Sequence, residues 1–92
     1  LKLWTVWNDY YATGEGRTLM AWIGYANDHE EALKRFGDAF DPYFAYGADA
    51  AEGVAGNEVI DHLFSQRVLD DVRSMAGGTA IQLTGRLHFN LA

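Results

Sequence analysis

The side chains of this chain that could do chemistry are few and scattered. His62 follows Glu58 by four positions and stands beside Asp61, a spacing that sets a carboxylate and an imidazole on one helix face, as half of a metal site requires. A third ligand would have to come from His29 or His88, both on other elements, so no metal is expected and His29 reads as a solvated surface residue. His88 and Asp9 form the one acid/base pair that could meet across a sheet. Ser65 and Ser74 are the only serines; both fall in helical sequence, and neither sits in the G-x-S-x-G elbow that presents a nucleophile. Asp70 and Asp71 are consecutive, so on a helix their side chains diverge by about 100° and cannot share a proton as a catalytic dyad. The absence of cysteine excludes disulfides, thiolate zinc sites and a thiol nucleophile together. A binding role is favoured over an enzyme, and no cofactor is expected.

The glycine-rich stretch Thr13-Gly14-Glu15-Gly16-Arg17-Thr18 raises the possibility of a phosphate cradle. A dinucleotide loop needs G-x-G-x-x-G between a strand and a helix, and a P-loop needs G-x-x-x-x-G-K-[ST]; here Gly14-x-Gly16 leads into another strand. The two glycines are better explained as turn residues that accept positive φ.

The elements follow from composition and period. Residues 2–11 and 18–26 are rich in Trp, Tyr, Val, Thr and Ile and read as two strands of a hairpin. Pairing Ala12 with Arg17 across a four-residue loop sets Trp7 opposite Trp22 and Val6 opposite Ile23. Trp4, Val6, Tyr10, Leu19, Ile23 and Tyr25 then share the core face, and Thr5, Trp7, Asp9, Met20 and Trp22 the other. Asn27 caps a helix whose Glu30 and Glu31 favour its positive end and whose Ala32, Leu33, Phe36 and Phe40 recur at helical spacing, until Asp41-Pro42 ends it. Residues 41–57 form a long connection in which at least two of Tyr43, Phe44 and Tyr46 should be buried, as a lid over the helical layer or in a subunit contact. Residues 58–76 are helical, with Ser65 a possible break, and stop at Gly77-Gly78. The last strand alternates Ile81, Leu83, Leu87, Phe89 and Leu91 with Gln82, Thr84, Arg86, His88 and Asn90.

The order is β-β-α-α-β, an α+β, two-layer fold over residues 1–92. Its sheet is three-stranded and antiparallel, with two or three helices on one face. The last strand is placed beside the first in preference to the other edge of the hairpin.

Thirteen aromatics in 92 residues exceed what one covered sheet face can absorb. Trp7, Met20 and Trp22, lying on the face whose last-strand members include Arg86 and His88, are therefore the expected contact residues. Such a face can meet its symmetry mate, making a homo-oligomer with a dimer favoured, or floor a small-molecule site. A net charge of −6, with no basic run longer than Lys34-Arg35, disfavours nucleic acid and anionic membranes and suits a basic protein partner. The first residues lack the plan of a signal peptide, and a cytoplasmic location is the default expectation.

Overall fold

The computed structural model describes residues 1–12, 16–75 and 78–89, the side chains of residues 11 and 12 excepted. Two long strands, β1 (Lys2–Ala12) and β2 (Gly16–Ala26), are followed by helix α1 (His29–Ala39), a 3-10 turn (Pro42–Ala45) and a short strand β3 (Asp49–Glu52). Helices α2 (Glu58–Leu63) and α3 (Gln66–Met75) then lead to β4 (Gln82–Phe89). The fold is α+β with one antiparallel sheet, ordered β3-β1-β2-β4. Among the described residues it thus has four strands, not the expected three, and the last strand pairs with β2 because β3 occupies the outer edge of β1.

Capping chemistry sets the helix limits. Asp28, one residue beyond the expected Asn27, caps α1 by accepting a 2.8 Å hydrogen bond from the Glu31 amide, while Asn27 Nδ2 donates to the Glu31 carboxylate at 3.0 Å. Asn57 Oδ1 accepts from the Ile60 amide at 3.0 Å and starts α2. Ser65 separates α2 from α3, and its Oγ accepts from the Val68 amide at 3.3 Å in the first turn of α3. The expected end of the helical region at Ala76 and Gly77 lies outside the described residues.

The hairpin register is one residue away from the expected one. Ala12 pairs with Gly16, Val6 with Trp22 and Trp7 with Ala21. Gly16 has φ of 94°, the left-handed region that glycine enters without steric cost; Thr13, Gly14 and Glu15 of the expected turn lie outside the described residues. Because strand side chains alternate, a one-residue slip moves every side chain of one strand to the other face relative to its partner. Trp4, Val6, Met20, Trp22 and Ala26 therefore share one face and pack against Ala32 and Phe36 of α1. Leu19, Ala21 and Ile23 share the other and pack against Val59, Ile60, Phe64, Leu69 and Val72 of α2 and α3.

Helices thus cover both faces of the sheet, not one. That arrangement accounts for the unbroken burial of β2 from Leu19 to Gly24, which an amphipathic strand would not show. Among the described residues no helix is long and apolar enough to cross a membrane.

Strand β3 has a weak sequence signal, Asp-Ala-Ala-Glu, and is held by its context. The hydroxyl of fully buried Thr5 donates to the Gly53 carbonyl and accepts from the Ala55 amide at 3.2 Å, tying the chain after β3 to β1. Thr5→Val keeps shape and strand preference but removes both bonds. It is expected to destabilise by about 1–3 kcal/mol, the cost of leaving part-buried backbone partners unmet, as measured by urea unfolding.

Candidate functional site

Two surfaces concern the expected contact residues: the margin at β4, and a cleft where β3 begins beside Trp7 of β1. Of the expected contact residues, Arg86 and His88 lie on β4, and Met20 and Trp22 lie beneath α1 on the neighbouring strand β2. Met20 is 0% and Trp22 1% exposed, sealed under α1. Neighbouring Arg86 is exposed but folded back, with its guanidinium 5.4 Å from the Phe40 ring centroid and Nη2 3.9 Å from Met20 Sδ. His88 lies further along the same face, its Nδ1 2.8 Å from Thr18 Oγ1. On the opposite face of β4, Leu83, Leu87 and Phe89 are half-buried at the rim of the α2–α3 cluster.

The structure therefore brings Met20, Trp22, Arg86 and His88 to one face and places Trp7 on the other. The expected Trp7–Trp22 pair does not form, because the register change sends the two indoles to opposite sides of the sheet. His88 and Asp9 are separated in the same way, so the acid/base pair cannot meet; Asp9 instead lies 2.7 Å from Arg17 Nη2.

Trp7 is half-buried in a cleft of about 250 Å3 lined by Asn8, Asp9, Arg17, Asp49, Asn57, Glu58 and Val59. Arg17 bridges the two walls, reaching Asp9 at 2.7 Å and Glu58 at 3.3 Å. An indole beside three carboxylates and a guanidinium can hold a small cationic or hydrogen-bonding group. His62 Nε2 lies 3.8 Å from Glu58 Oε1, as their spacing implies, but among the described residues no three His, Asp or Glu side chains converge on a metal position.

Within the single chain the aromatic loop does not form the expected lid. Tyr43 is 63% and Tyr46 81% exposed, and only Phe44 is half-buried, in edge contact with Tyr10 at a centroid distance of 5.1 Å. Asp41 Oδ1 caps the 3-10 turn at the Tyr43 amide, and Asn8 Nδ2 donates to the carbonyls of Phe44 and Tyr46 at 2.7 and 3.3 Å. Backbone fixation by polar side chains lets the two tyrosines project outward. The open edge of β4 was readable as a strand from its alternation, but its position at the end of the sheet was not, because that depends on β3.

No protein-family model, no curated protein and no solved structure matches this chain.

Proposed function

We propose that this chain is a non-catalytic interaction domain that works by self-association at the β4 margin. The observation that carries this reading is an eight-residue edge strand whose outer side has no partner strand among the described residues, with half-buried Leu83, Leu87 and Phe89 along one face. An unpaired edge is a row of backbone donors and acceptors that other strands can join, and chains normally blunt it with lysine, proline, shortness or a bulge. The opposite edge is blunted: β3 is four residues long and bears Asp49 and Glu52. β4 has no lysine or proline, and its one arginine is drawn back over Phe40.

Sedimentation equilibrium of the native chain tests this, with a dimer expected. Thr84→Lys, at an exposed edge position, should keep the circular dichroism spectrum and weaken association by roughly tenfold, about 1.4 kcal/mol. A native chain that sediments as a monomer throughout the micromolar range overturns the reading.

The Trp7 cleft supports a second reading, a small-ligand site for a cationic group, since Asp49 faces it with no ion-pair partner among the described residues. Titration with agmatine should then move the Trp7 indole resonance saturably in the native chain and not in Asp49→Asn. A shift that sodium chloride reproduces at equal ionic strength rules this reading out.

A further inference from the structure

Resting on the self-association reading, we propose the specific geometry of the assembly: two copies pair their β4 strands antiparallel about a two-fold axis through Gly85, making one continuous eight-stranded sheet. The sequence of β4 is self-complementary about that point. With Gly85 opposite Gly85 of the partner subunit, Thr84 meets Arg86 of the partner subunit and Gln82 meets His88 of the partner subunit on the α1 face. On the other face Leu83 meets Leu87 of the partner subunit. Apolar residues thus oppose apolar ones, and the guanidiniums face hydroxyls. Cross-strand pairs of this kind are the unit by which sheets are stabilised.

Neighbouring registers lose these matches. A shift by one residue turns one copy over and sets the half-buried leucines of one against the exposed polar row of the other. Moving the axis to Arg86 opposes two guanidiniums directly, which is destabilising. Moving it to Thr84 sets Leu83 against glycine. The Gly85-centred register also suits the monomer's shape. Phe64 lies over Gly85, so close that a Cβ there would come within 3.0 Å of Cζ, and the α2–α3 layer already extends to the strand that forms the seam. Leu63, beside Phe64, is half-buried at the same margin and becomes part of the joined apolar layer.

The absence of native cysteine makes the register directly testable. In this geometry residues 84 and 86 of different subunits lie directly opposite, about 4.5–5.5 Å apart at Cα and within disulfide reach. Two copies of residue 84, or two of residue 86, are offset along the strands and lie beyond it. Thr84→Cys and Arg86→Cys chains are prepared separately, shown to fold by circular dichroism, then oxidised alone and as an equimolar mixture. The mixture should form covalent dimer roughly tenfold faster than either variant alone, its yield approaching the statistical share of mixed pairs. A native chain that is dimeric by sedimentation, combined with a mixture no faster than the single variants, overturns this register while leaving self-association intact. Fast cross-linking of Thr84→Cys alone also overturns it, by placing the axis at residue 84. A monomeric native chain overturns both readings at once.

Discussion

Trp22→Ala is expected to destabilise the chain by about 3–5 kcal/mol, enough to unfold a substantial fraction if total stability lies near the low end of the usual ~5–15 kcal/mol. Trp22 is 1% exposed, in the centre of β2, packed with Trp4, Val6, Met20 and Phe36 beneath α1. Its indole Nε1 has no hydrogen-bond partner among the described residues, so the loss is one of packing and not of a polar contact. Trp7→Ala should cost less, since Trp7 is half-buried at the rim of the other cluster. Urea unfolding of the two variants measures the difference. Equal costs would show that the two indoles have equivalent surroundings, as the register pairing Trp7 with Trp22 required, and would contradict the structure's assignment of the two faces.

Gly24→Ala is the second large effect, and its cause is the same side chain. The Trp22 ring comes up against Gly24, so a Cβ there would stand 2.5 Å from Cζ2, 2.9 Å from Cη2 and 3.0 Å from Cε2. The ring cannot swing away, because α1 covers it. Overpacking of this kind costs about 1–3 kcal/mol, and at about 4–8 °C per kcal/mol for a small domain the melting temperature should fall by ten degrees or so. The glycine is needed here for close approach, not for unusual backbone angles. A double-mutant cycle separates this cause from a general loss of strand order. In the Trp22→Ala background the clash partner is gone, so Gly24→Ala should become nearly neutral, giving a coupling energy about as large as the single-variant cost. Additive costs would show that the glycine acts through the backbone and not through the indole.

Both effects depend on which residues share a face, and this marks where sequence stopped informing. Composition and period alone identified the two hairpin strands, the helix after Asn27-Asp28, its end before Pro42, the helical region after Asn57 and the alternating last strand. These are local matters: capping side chains, the missing amide of proline and β-branched or aromatic runs act within a few residues of where they stand. Their locality also explains why the start of α1 was legible to within one residue. Face parity is different. An amphipathic strand reports its own orientation, but β1 and β2 are apolar on both sides because helices cover both sides, so every register offered a plausible hydrophobic face. The choice falls to tertiary structure, where the fit of Trp22 against Gly24 and of Leu19 and Ile23 against α2 and α3 decides between alternatives that hydropathy cannot rank. β3 belongs to the same class. Nothing in Asp-Ala-Ala-Glu favours a strand, yet the Thr5 hydroxyl and the free edge of β1 make it one, and by filling that edge it sends β4 to the far side of the sheet. The expected contact residues thus came apart for a physical reason: Trp7 was joined to Met20, Trp22, Arg86 and His88 by parity alone, and parity is a property of the assembled sheet, not of any strand in it.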